Sequence, residues 1–166
     1  MTKSETFIFD ALPTNIEELK ALPEADLSTP YQTAALTVLA LCGYEDNPEA
    51  AIDMLNFLKG PQPLSNYDIQ LLRDRLTGKG YKPFSFLHGS MPENGYTPAQ
   101  PYQITVFDCP YSFQEDGYAQ LMINSSGADS PREIKLREKP SSGQWFLWEN
   151  YLLADIRAPK SDDPWA

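Results

Sequence analysis

Residues 124–149, with the sequence NSSGADSPREIKLREKPSSGQWFLWE, combine a polar loop, two strands and a tight turn in one continuous stretch. From Glu133 to Glu138, apolar and charged residues alternate, which predicts a strand with one buried and one exposed face. The strand from Gln144 to Glu149 is apolar on both faces, so both should be covered. The stretch therefore predicts an antiparallel hairpin at the centre of a sheet-containing fold.

The sequence before this hairpin predicts further strands. Tyr81 to His88, Tyr102 to Phe107 and Tyr118 to Ile123 each read as strands, and the prolines between them exclude long helices. Because the connections are short, sequential strands should pair as an antiparallel meander. We expect a sheet of four to six strands, formed by the C-terminal half of the chain.

The N-terminal half predicts four helices. Their capping residues, prolines and glycines place them at about 15–22, 30–42, 48–60 and 66–77. The second helix is apolar nearly all round, so it should be the central helix. The predicted fold class is α+β, with about four N-terminal helices packed on one face of the antiparallel sheet.

The 166 residues predict a single domain, because this length buries most of its apolar surface without disulfides or metal. Its helical part should span about 14–78 and its β-rich part about 80–157. The tail at 158–166 carries Trp165 one residue before its end. Because a tryptophan left in water gains nothing, we expect the tail to dock back on the domain, with contact to a neighbouring subunit as the alternative.

Charge and hydropathy narrow the range of partners. Thirteen Lys and Arg against 23 Asp and Glu leave a net charge of -10, which repels nucleic acids and anionic lipid surfaces. The chain also shows no secretory signal and no apolar run long enough to span a bilayer. We therefore expect a cytoplasmic protein that binds neither nucleic acid nor membrane.

Cysteine and histidine are too few for a metal centre. Cys42, Cys109 and His88 are the only such residues, and their spacing fits neither a zinc set nor a disulfide framework. We expect no metal and no cofactor.

The polar loop of the opening stretch is the first candidate site. Its small size and hydroxyl groups suit close approach of a ligand, and its arginine offers a planar fork to a carboxylate or phosphate. The candidate ligand-binding residues are Ser125, Ser126, Asp129, Ser130 and Arg132. The same residue types also build ordinary sharp turns, so a purely structural loop is the alternative.

A hydrolase is the competing hypothesis. It would pair His88, as base, with a serine of the loop or with Cys109. The chain has no GxSxG elbow, so we expect no catalytic residue and treat this small hydrolase-like enzyme as the alternative function.

Aromatic residues suggest a second candidate surface. Trp145, Trp148 and Trp165 could supply large contact area to a protein or ligand, although most aromatic side chains of a globular domain are internal.

Several motifs together resemble a bacterial family of domain-of-unknown-function proteins. The motifs are SSGADSPR (Ser125 to Arg132), QWFLWE (Gln144 to Glu149), FLKGPQPLS (Phe57 to Ser65), KGYKPFSF (Lys79 to Phe86) and ADIRAPKSDDPWA (Ala154 to Ala166), which includes the C-terminal DPWA. The resemblance extends from about Tyr31 to the C-terminus and implies a bacterial, single-domain protein without assigning a function. Our expectation from the residues is a non-catalytic binding or protein-interaction domain that recognises another protein or a small polar or anionic ligand.

Overall fold

The fold is built on an antiparallel sheet in a computed structural model that describes residues 2–165. Over these residues the sheet has five strands, each paired with its neighbours in sequence order. The strands are β1 (Ser4–Phe9), β2 (Tyr102–Phe107), β3 (Tyr118–Ile123), β4 (Arg132–Lys139) and β5 (Gln144–Asn150). The predicted α+β fold with an antiparallel sheet is confirmed.

Five α-helices lie between β1 and β2 within residues 2–165. They are α1 (Ile16–Lys20), α2 (Pro30–Cys42), α3 (Pro48–Lys59), α4 (Asn66–Leu76) and α5 (Tyr81–Phe84). The bounds of α2 agree with the prediction, because Thr29 and Gln32 form a reciprocal capping box and Pro30 occupies the first turn.

The predicted strand from Tyr81 to His88 is wrong, since α5 and a following turn occupy these residues. Ser85 N donates to Lys82 O, and Leu87 N donates to Phe84 O, so the backbone is satisfied by local bonds. Pro83 has no N–H to give to a sheet, but it fits the first turn of a helix.

The prediction that the whole sheet comes from the C-terminal half is also wrong, because β1 is N-terminal. It pairs with β2 from Ser4↔Phe107 to Phe9↔Tyr102. Beyond the end of this ladder, Lys3 N donates to Asp108 Oδ1 at 2.7 Å and Asp108 N donates to Lys3 O at 2.9 Å. This reciprocal pair ties the N-terminus to the end of β2.

Helix α2 occupies the centre of the core. It contacts all five strands, and every residue in it except Gln32 is buried. The opposing sheet face contributes Ile104, Leu121 and Leu136, which are fully buried. A helix that is apolar all round fits this position because neighbours surround it.

The outer edge of β5 is covered by groups from the helical half. Trp145 N donates to Leu27 O at 2.9 Å, and the Thr33 hydroxyl donates to Trp145 O at 2.6 Å. Further along, the Lys59 ammonium donates to Trp148 O at 3.1 Å. These contacts protect an edge strand that would otherwise expose free backbone groups.

The segment after β5 returns across the domain and ends in an exposed tail. Pro159 is buried, and the turn at Lys160–Asp162 contacts the turn at Pro92–Asn94. Pro159 attaches the start of the tail to the domain, but the expected docking of Trp165 on its own domain is wrong, because its side chain is 93% exposed. Within residues 2–165, none of the helices combines the length and the apolar character needed to cross a membrane.

Candidate functional site

The serines of the predicted ligand loop bind groups of the protein itself. Ser125 is buried, and its hydroxyl donates to Ser85 Oγ at 2.8 Å while accepting from Gly127 N at 3.1 Å. Ser126 N donates to Ser85 O at 2.9 Å, and its side chain bonds the same carbonyl at 3.2 Å. The two serines thus fix the loop to the turn after α5.

Arg132 is bound to backbone carbonyls. Its Nε donates to Ala154 O at 2.8 Å, its Nη2 to Asp155 O at 3.2 Å, and its Nη1 to Ser130 O and Oγ at 3.1 and 3.2 Å. The guanidinium fork therefore joins the loop to the segment after β5.

Asp129 is exposed, and it forms an ion pair with Arg157 at 3.0 Å. The loop thus brings all five predicted residues close together, but their polar groups largely face partners within the protein. Ligand binding at the loop stays a prediction, and any ligand would have to compete with these intramolecular bonds.

His88 and the suggested nucleophiles have other partners. His88 Nε2 bonds Thr105 Oγ1 at 2.9 Å on the sheet face opposite α2, and Cys109 Sγ accepts a long contact from the Ser112 hydroxyl at 3.7 Å. Among residues 2–165, no hydrogen bond joins His88 to Cys109 or to a serine of the loop. In the same part of the chain, no three His, Cys, Asp or Glu side chains are grouped as metal ligands.

The three predicted contact tryptophans lie in different environments. Trp145 packs against the edge of the core, Trp165 is exposed in the tail, and Trp148 is half-buried at the end of β5. Of these, Trp148 lines a groove.

The groove lies between α4 and the end of β5 and has a volume of about 420 Å³. Cavities of about 300–1,000 Å³ with mostly apolar walls are typical of ligand sites. Its apolar walls include Leu55, Leu64, Leu71, Leu72, Leu147 and Trp148. Helix α4 packs loosely, with very few close neighbours among the other described helices and strands. This loose packing leaves the groove open beside it.

The rim of the groove carries exposed apolar side chains. Tyr67 and Tyr151 are both more than half exposed, and Leu71 is partly exposed. Tyr67 and Leu71 are four residues apart, so they form one row on α4 outside its inward stripe. This second apolar row on α4 is visible in the sequence and is the signal that could have indicated the groove.

Four charged side chains line the groove, and three of them bind within the protein. Asp68 accepts from Ser65 N at 2.9 Å, Glu149 accepts from the Tyr151 hydroxyl at 2.5 Å, and Lys59 donates to Trp148 O. Arg75 makes no hydrogen bond or ion pair with any residue in 2–165. Its guanidinium is therefore available to an external acceptor.

Further cations lie near Arg75. Lys82 is buried and donates to Leu153 O at 3.1 Å, and Leu153 itself lines the groove. Burial, followed by the charges of Lys79 and Arg75, lowers the pKa of the Lys82 ammonium. Of these three cations, Arg75 lines the groove, in a chain whose net charge is -10.

Trp148 is supported from behind by a row of stacked side chains. The Arg137 guanidinium lies 4.7 Å from the centroid of the Trp148 ring and 5.4 Å from that of Tyr118. The two rings meet edge to face at 5.8 Å. These contacts fix the orientation of the Trp148 ring.

Comparison with known proteins gives a family and no further relative. No curated protein and no solved structure matches the chain. The domain of unknown function DUF6935 matches residues 11–160, which confirms the predicted membership in a domain-of-unknown-function family. Because this match covers most of the sequence, the chain belongs to the DUF6935 family.

Proposed function

We propose that the protein is a non-catalytic interaction domain whose groove between α4 and β5 binds a protein segment with a large apolar side chain beside a carboxylate. The observation that carries this proposal is the pairing of an apolar groove with Arg75, which has no partner among the described residues. Apolar surface supplies the affinity and the arginine selects the acidic neighbour.

A protein segment fits better than a small molecule because the apolar surface continues beyond the cavity. Tyr67, Leu71 and Tyr151 extend it along the rim, and an extended ligand could cover both the cavity and the rim. Trp148 is held in place before binding, so less conformational entropy is lost when the ligand arrives.

The proposal treats residues 1–166 as one unit, with the helices on one side of the sheet, acting in the bacterial cytoplasm without nucleic acid or membrane. The net charge of -10 supports the absence of nucleic-acid and membrane partners, and the contacts of α2 with all five strands support a single unit.

Two probes that differ only in charge test the groove. N-acetyl-L-tryptophan carries a carboxylate beside an indole, and N-acetyl-L-tryptophanamide lacks the charge. We expect both to shift the amide resonances of Leu71 and Leu72, with the acid binding about two- to fivefold tighter, as a partly exposed ion pair contributes about 1 kcal/mol or less.

Arg75→Gln is the test variant and Arg73→Gln is its matched control. Both arginines lie on α4, but Arg73 is exposed and does not line the groove. Arg75→Gln should abolish the preference for the acid, whereas Arg73→Gln should keep it. Saturable binding by neither probe, or shifts confined to the loop 125–132, would contradict the proposal.

A further inference from the structure

The tail carries the chemistry that the groove requires. Trp165 is exposed, and Asp162 and Asp163 precede it with one proline between. Trp165 N donates to Asp163 Oδ1 at 2.8 Å, so the Trp165 backbone and the carboxylate are held together in one turn. A large apolar ring left in water forfeits the free energy of burying it.

The groove and the tail are complementary in charge. The tail residues 161–165 contain two carboxylates and no cation, while Arg75 lines the groove and has no ion-pair partner among residues 2–165. Elsewhere the strong negative charge of the chain would repel such a tail. The unpaired Arg75 guanidinium is thus a favourable place for a tail carboxylate.

We propose that the partner is a second copy of this chain, whose segment Asp162–Trp165 enters the groove with the indole against Leu71 and Trp148 and a carboxylate at Arg75. This inference rests on the proposed function, since it names the protein segment that the groove binds.

The geometry allows a mutual exchange. Pro159 is buried, so the tail is fixed up to that residue, and the six residues 160–165 reach about 20 Å when extended. Within its own chain the tail contacts the turn Pro92–Asn94 instead. If each of two copies gives its tail to the other, the contact is the same in both directions and closes a dimer with twofold symmetry.

Sedimentation equilibrium of the full chain over a wide range of concentration tests the exchange. The chain should pass from monomer to dimer, and Trp165→Ala should weaken the dimer by about tenfold or more, as expected for a buried aromatic contact. Tyr111→Ala removes another exposed aromatic side chain and should leave the dimer unchanged.

A mixing experiment separates the tail from the groove. Arg75→Asp with Leu71→Asp disables the groove and keeps the tail, whereas Trp165→Ala keeps the groove and disables the tail. Each variant alone should be mainly monomeric, and an equal mixture should form heterodimers. A wild-type chain that stays monomeric throughout, or a dimer that both variants leave intact, would overturn the inference.

The failure of this inference is distinguishable from that of the proposed function. The chain with Trp165→Ala has an intact groove and should bind N-acetyl-L-tryptophan as tightly as the monomeric wild type. If it does so while the wild type never dimerises, the groove binds a different partner and only the inference fails. If the groove binds neither probe, the proposed function fails first.

Discussion

The guanidinium carbon of Arg137 lies 4.7 Å above the ring of Trp148, on the side of β5 that faces away from α2. Such a pair contributes about 0.5–1 kcal/mol at an exposed site. Arg137→Ala should lower the free energy of unfolding by that amount in urea denaturation and loosen the Trp148 ring, which NMR of its indole detects. Lys139→Ala on the same strand is the control, and an equal effect of both substitutions would contradict the role of Arg137.

Arg132 should prove to be structural. Arg132→Ala removes bonds from a charged donor to the carbonyls of Ala154 and Asp155, and should destabilise the fold by about 2 kcal/mol in urea denaturation. The exposed Arg73, replaced by alanine, should change stability by no more than about 0.5 kcal/mol. Equal effects of the two substitutions would contradict a structural role for Arg132 and favour its predicted role in ligand binding.

Gly60 should be intolerant of a side chain because it packs on the ring of Phe146. A Cβ at Gly60 would collide with that ring, whereas a Cβ at Gly78 would meet nothing within 4 Å. Both glycines have positive φ, 66° and 72°, so alanine is strained at each position, and the ψ of -125° adds to the strain at Gly60. Gly60→Ala should therefore cost about 1–3 kcal/mol more than Gly78→Ala in denaturation experiments, and similar losses would show that the ring moves away freely.

Stability should fall at alkaline pH through Tyr31. Its hydroxyl donates to Asp108 Oδ2 at 2.6 Å, and burial together with this carboxylate raises the pKa of Tyr31. Because the folded-state pKa lies above the unfolded value of about 10, the contribution is complete below about pH 10 and is lost as the pH rises further.

Tyr31→Phe tests this dependence. The variant should be about 1 kcal/mol less stable at neutral pH, and its thermal midpoint should fall less steeply than that of the wild type above about pH 10. Tyr111→Phe at an exposed site should follow the wild type. Parallel curves for the wild type and Tyr31→Phe would show that another group controls alkaline unfolding.

The two thiols should differ in reactivity. Cys42 is buried in α2, and burial raises the pKa of its thiol, whereas Cys109 is only half-buried. An aromatic disulfide reagent should label Cys109 in the native protein and both cysteines in denaturant. Cys109→Ser should abolish native labelling, and rapid labelling of that variant would show that the core around Cys42 opens readily.

Local sequence patterns predicted helices that begin and end at clear capping residues and strands in which apolar and polar residues alternate. The bounds of α2 follow from Thr29, Pro30 and Gly43, and the alternation in β4 gave its buried face. The strand predicted from Tyr81 to His88 failed because its aromatic residues satisfy helix, turn and strand equally well, so Pro83 and the local backbone bonds decided the outcome.

Long-range features were beyond the reach of these patterns. β1 alternates in burial along its length, but its partner lies at Tyr102 to Phe107, and nothing local points to it. The loop of Ser125 and Arg132 was found as a compact polar cluster, whereas the partners of these side chains, Ser85 and Ala154, come from distant segments. The groove depends on how far α4 stands from β5, a distance that no sequence spacing encodes.

The pairing of β1 with β2 also constrains the order in which the protein can fold during translation. Helices α1 to α5 lie between β1 and β2 in the chain, so all five are synthesised before Phe107 is available to pair with Ser4. At about 5–20 residues per second, β1 spends roughly 5–20 s of synthesis without its partner strand. Ile8 is still exposed in the folded protein, and β1 can join the sheet only after β2 has been made.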